Sequence, residues 1–98
     1  MQRPTFILDS AIFNMEIADL KLQAAVCMDA ATRRVLGTAV SASRDDAMVT
    51  AFGNAVFAAG VPAVVQIDNA VDVPDLVREC WLLGIEIAHG PSFQEDVR

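Results

Sequence analysis

At 98 residues, 54% of them hydrophobic and 20% charged, the chain has room for one small domain and is too apolar to be disordered. Its net charge of −6 is the wrong sign for a chain that grips phosphates unaided, though it suits a cation site built from carboxylates. A domain of this size buries only about two thirds of its unfolded surface, so part of the apolar excess is expected to meet another chain or segment.

Residues 5–18 alternate, with Phe13, Met15 and Ile17 on one side and Asn14 and Glu16 on the other, as in a half-buried strand. Asp19 to Lys21 is the expected turn, and Leu22 to Met28 an apolar run suited to a central strand. Asp29 to Arg33 turns the chain again, and Arg34 to Ser41 is the hairpin partner, so the first three strands form an antiparallel meander.

A helix is expected from Ser43, whose hydroxyl can cap it while Asp45 and Asp46 sit where the dipole favours acids. Met48, Phe52, Ala55 and Ala59 recur at helical spacing, flanked by Val49 and Val56, and Gly60 and Pro62 stop the helix. Ala63 to Ile67 is a β-prone run ending at Asp68-Asn69. Pro74 opens a second helix whose expected apolar face joins Leu76, Val77, Cys80 and Trp81, with Trp81 in the core or at its rim. Gly84 ends that helix, Ile85 to Ile87 is a last short strand, and Gly90-Pro91 begins an irregular tail. The order β-β-β-α-β-α-β predicts an α/β domain over residues 1–98, a mixed sheet of five strands with helices on its faces.

Cys27 and Cys80 have no disulfide or metal spacing and read as buried core thiols. The most apolar stretch, residues 47–67, is broken by Gly60-Val61-Pro62, so no membrane span is expected. Residues 1–10 lack the pattern of a secretory leader, and the expected location is cytoplasmic. His89 and the Arg33-Arg34 pair read as surface or loop residues.

Asp9 lies near the start of the first strand and Asp68 at the carboxyl end of the fourth. If those strands are neighbours, the two carboxylates meet at one edge of the sheet, where ligand sites of open α/β sheets form. Paired Asp carboxylates are hard oxygen donors that suit Mg²⁺ or Mn²⁺. By spacing alone, two strand-end Asp residues are more often a turn and a cap than a metal site.

The surrounding residues resemble a known family. Val64-Val65-Gln66-Ile67-Asp68-Asn69 is similar to a strand ending in Asp-Asn-Gly in the catalytic cores of DNA transposases and retroviral-type integrases. Phe6-Ile7-Leu8-Asp9-Ser10-Ala11 resembles the strand carrying that family's first catalytic Asp. Asp29-Ala30-Ala31-Thr32-Arg33, followed by Gly37, matches its turn between the second and third strands. Val77-Arg78-Glu79-Cys80-Trp81-Leu82-Leu83-Gly84-Ile85, with Gly90-Pro91 beyond, looks like its second helix, last strand and following loop. These short motifs are collinear along nearly the whole chain.

The resemblance implies a ribonuclease H-like fold and metal-dependent DNA cleavage and strand transfer. It makes Asp9 and Asp68 the first two metal-binding catalytic acids, with Asn69 bracing the turn, Asp29 a turn residue, and Mg²⁺ or Mn²⁺ the cofactor. DNA is the implied partner through the full-length parent, and a homodimer or higher oligomer is expected. Ala70 stands where the family has Gly, and Val73-Pro74 replaces its usual Phe-x-Ser. The family's third acid is a Glu on a helix after the Gly-Pro loop. On this reading Arg98 falls within that loop, so the core is truncated and inactive by itself; Glu95 and Asp96 are the nearest acids, and Glu95 as a third ligand is weighed against a solvated tail residue. The alternatives are a degenerate core kept as an oligomerising or partner-binding module, and an unrelated acidic α/β domain.

Overall fold

A computed structural model of the chain describes residues 3–17, 20–67 and 73–89. The elements follow the expected order: β1 (Thr5–Ile17), β2 (Leu20–Asp29), β3 (Val35–Ser41), α1 (Arg44–Ala59), β4 (Val64–Ile67), α2 (Pro74–Leu82) and β5 (Glu86–His89). They form one five-stranded sheet in the order β3-β2-β1-β4-β5. The β1–β2 and β2–β3 pairs are antiparallel, while β4 runs parallel to both β1 and β5.

Local chemistry accounts for most boundaries. Ser43 accepts a bond from the Asp46 amide and opens α1, and Gly60, at φ 90°, ends it in a conformation that side-chain-bearing residues rarely adopt. Asp29 turns the β2–β3 hairpin by accepting from the Ala31 amide at 2.8 Å, which fits its expected role as a turn residue. Pro74 stands at the start of α2, where its missing N–H costs nothing. Several strand ends shift by a residue, and the larger differences from expectation are that Leu20 and Lys21 belong to β2, and that the last strand begins after Ile85 and includes His89. Pairing partners decide these ends, Leu20 with Ile17 and His89 with Ile67, and local propensity does not report them. Ala18-Asp19 and the tail from Gly90 lie outside the described residues.

Both helices pack on the same face of the sheet. The connections β3-α1-β4 and β4-α2-β5 each join parallel strands and move in the same direction across the sheet. Crossovers of one hand that progress in one direction must lie on the same side. The core is therefore a single layer between sheet and helices, with Phe6, Leu8, Cys27, Val65 and Ile67 below and Met48, Phe52, Leu76 and Cys80 above. Phe52 meets Phe6 edge-to-face with ring centroids 6.3 Å apart.

Gly37 lets α1 lie this close. It pairs with Cys27 beneath the helix, and a Cβ there would run into the Ala51 carbonyl oxygen and come within 2.8 Å of the Ala55 nitrogen. The Asn54 amide donates to the Thr38 carbonyl at 3.2 Å and ties the helix to the β3 edge. On α2 the expected apolar face divides: Leu76 and Cys80 are buried, whereas Val77 and Trp81 face solvent.

Candidate functional site at the carboxyl end of the sheet

The parallel β1–β4 pair carries the site. Its register runs Thr5 to Val64, Phe6 to Val65, Ile7 to Gln66 and Leu8 to Ile67. Asp9 is thus the next residue of β1 beyond the last β4 pair, and Asp68 follows Ile67 in the chain. The strand adjacency on which the pairing of these two acids depended is present. Asp68, Asn69 and Glu95 themselves lie outside the described residues.

Alternation along β1 decides where Asp9 projects. Phe6 and Leu8 point into the core, so Asp9 belongs to the opposite face with Ile7 and is exposed. The Ser10 amide donates to Asp9 Oδ1 at 2.8 Å, which helps to fix the carboxylate's rotamer. On β2, Val26 lies opposite Asp9. No helix covers this face among the described residues.

Helix starts add further acids to the same end of the molecule. Because β3 and β4 both run toward this end, α1 and α2 both begin here. Val73 occupies the N-cap of α2 and offers no side-chain bond to it. Asp45, in the first turn of α1, supplies one by accepting from the Asp75 amide at 3.3 Å. Sequence reasoning placed Asp45 only as a dipole partner of its own helix; an apolar residue at the N-cap of α2 was the signal that another group caps it. Asp75 forms an exposed ion pair with Arg78 at 3.4 Å, which contributes little to stability. Among the described residues no three His, Cys, Asp or Glu side chains gather as a metal site.

The two thiols lie elsewhere, in the core. Burial pushes Cys27 up to about 12, with Cys80 adding to the effect, and burial with the Glu79 charge pushes Cys80 up to about 11. Both stay protonated near neutral pH and are poor nucleophiles and ligands, as buried core thiols should be. Among the described residues no helix is long and apolar enough to cross a membrane.

No family model matches the chain, and no curated protein sequence does. Solved structures do. The HTLV-2 integrase catalytic core domain in complex with magnesium superposes with a TM-score of 0.65 in its trimeric form, at 16% identity over 90% of this chain and 61% of that one. Its dimeric form gives 0.65 at 18% identity, over 90% and 62%. The simian T-cell lymphotropic virus intasome in complex with PP2A regulatory subunit B56 gamma gives 0.66 at 14% identity, over 93% of this chain and 36% of that one. The chain has the ribonuclease H-like fold of integrase catalytic cores, and it spans about three fifths of the length of the HTLV-2 cores it matches.

Proposed function

We propose that this chain belongs to the catalytic core of a DNA-integrating or transposing protein, with Asp9 and Asp68 as a paired-carboxylate site for Mg²⁺ or Mn²⁺. The observation that carries this is the β1–β4 register, in which Leu8 pairs with Ile67 and an Asp follows each of them in sequence. The fold shared with integrase cores, one of them described in complex with magnesium, supports the same reading.

The donor chemistry fits the ion: Asp9 is an exposed hard-oxygen ligand at an open sheet edge. A bound divalent ion there supplies charge stabilisation at phosphorus and activation of the attacking hydroxyl. The chain's own work is positional. β1 and β4 hold Leu8 and Ile67, the residues before the two acids, in register, the Ser10 amide orients Asp9, and the acids at the two helix starts make this end attractive to cations. Asn69 would brace the turn after β4. Glu95 gains no support from the described residues as a third ligand. DNA and further copies of the chain are the proposed partners. With a net charge of −6, DNA contact falls mainly to other parts of the assembled protein.

The test is Mn²⁺ titration followed by NMR and calorimetry on the wild type, Asp9→Asn and Asp68→Asn. The expected result is one saturable site that either substitution weakens at least tenfold. Equal binding by all three proteins would sink the paired site. The reading of the chain as a non-catalytic partner-binding module is favoured by one observation, the solvent-facing Trp81. Absence of any metal binding, with self-association intact, would select it.

A further inference from the structure

The amino end of the sheet, away from Asp9, holds a cavity that the metal site does not use. Arg3, Pro4 and Thr5 form one wall where β1 begins, and Asp29, Ala30 and Ala31 form the other where β2 turns toward β3. Its volume is about 490 Å³, a size that small-molecule sites commonly have.

The walls are fixed to each other and to the rest of the fold. The Ala30 amide donates to the Thr5 carbonyl at 2.9 Å and joins them. The Asp29 amide donates to the Arg34 carbonyl at 2.9 Å and the Arg33 amide to the Asp29 carbonyl at 2.8 Å, which closes the turn. Arg3 donates from Nε and Nη2 to the Val61 and Pro62 carbonyls. A site formed in advance loses less binding free energy to ordering.

Two opposite charges line this cavity without pairing with each other. Each keeps bonding capacity. Arg3 engages its Nε and Nη2 along one side of the guanidinium, which leaves the parallel N–H groups at its tip. That tip is the fork that takes a carboxylate through two bonds. Asp29 accepts from the Ala31 and Thr32 amides on Oδ1, and no donor among the described residues reaches Oδ2. Arg33 and Arg34 follow on the same turn but do not line the cavity.

Charge decides what fits. A lone cation is repelled by Arg3. A lone anion is repelled by Asp29 and by the net charge of −6. A molecule carrying both a carboxylate and an ammonium finds a partner for each and has no net charge. Pro4, Ala30 and Ala31 supply an apolar surface for a short aliphatic group.

We propose that this cavity binds a small zwitterion of the α-amino acid class, its carboxylate on the Arg3 fork and its ammonium on Asp29 Oδ2. The site goes beyond the metal reading and stands or falls independently of it. Arg3 is exposed, so water screens its ion pair and the affinity is modest.

NMR titration of the isotope-labelled chain at neutral pH tests it. L-Alanine moves the Thr5, Ala30 and Ala31 amide signals along one saturable curve, with a Kd on the order of 1 mM. Propionate, which is alanine without its ammonium, and ethylamine, which lacks the carboxylate, each bind at least tenfold more weakly. Asp29→Asn keeps an acceptor oxygen for the turn and removes the charge, so alanine weakens at least tenfold while propionate does not weaken. A change of preference in that direction is not produced by a loss of folding. The proposal is overturned if L-alanine causes no shift up to about 50 mM, or if the shifts centre on other residues. Propionate that binds as tightly as L-alanine, or Asp29→Asn that binds L-alanine as the wild type does, overturns it equally.

Discussion

Phe52 and Phe57 stand on the same helix and meet different surroundings: Phe52 is sealed against Phe6, while Phe57 looks into water. The second helix repeats the contrast, with Leu76 and Cys80 inward and Val77 and Trp81 outward. Apolar identity is shared by both surfaces of the helical layer. What separates them is the phase of each helix against the sheet. That phase is set by close approach at Gly37 and by caps at the helix ends, none of which composition reports.

The sharpest way to break this comparison is to truncate both rings. Phe52→Ala should cost about 3–5 kcal/mol, lost contacts and residual cavity together. Phe57→Ala should stay within about 0.5 kcal/mol. Urea unfolding at a protein concentration low enough to suppress association measures both, and equal losses would erase the distinction between the surfaces. The two helix-side glycines give a smaller contrast of opposite sign. Gly37→Ala should cost roughly 1–3 kcal/mol through overpacking against the α1 backbone. Gly53→Ala, with nothing within 4 Å of the added carbon, should gain about 0.5–1 kcal/mol. Melting temperatures of the two variants must move in opposite directions.

Asp45→Ala tests whether α2 takes its phase from α1. Loss of the cap should cost about 1 kcal/mol and speed hydrogen exchange at the Asp75 amide, to which Asp45 is bonded. A separate effect is alkaline. Cys27 and Cys80 are raised in the folded state above their ordinary 9.0, so the unfolded chain releases these protons first. Their contribution is complete below about pH 9 and is lost as pH rises toward about 11 and 12. Urea midpoints at about pH 8 and about pH 10 should fall between the two conditions, and fall less in Cys27→Ala.

Much of this fold was legible because its signals are local. Ser43, Gly60, Pro74 and Gly84 each announce an end through their own backbone or side-chain chemistry, and each end is where those residues put it to within a residue or two. The facing of α2 was not legible, because Leu76 with Cys80 and Val77 with Trp81 have the same spacing and similar hydrophobicity. Which side of the sheet each helix takes was not legible either, because the side of a crossover follows from handedness and strand order, which are properties of the whole chain. At the site, Asp9 and Asp68 stood out through the motifs around them. The pairing of Leu8 with Ile67 that brings their strands together joins segments far apart in sequence and had to be assumed. The bond from Asp45 to α2 escaped notice because its acceptor and donor sit on different helices.

The clasp at the start of β1 carries a consequence for how the molecule assembles. Arg3 donates to the Val61 and Pro62 carbonyls at 3.3 and 2.7 Å, and the Ala63 amide donates to Pro4 at 2.9 Å, so the first strand is latched to a connection made late in the chain. The β1–β2–β3 meander closes through short turns, whereas the β1–β4 pair must close a loop through nearly sixty residues, an entropic cost met before its contacts form. Pulse-labelled exchange should protect the Ala25 amide before that of Val65, and the reverse order would reject this sequence of events. A ribosome-bound chain would then carry Asp9 on a finished hairpin sheet well before β4 arrives beside it, so this edge would become competent only once the fold is complete.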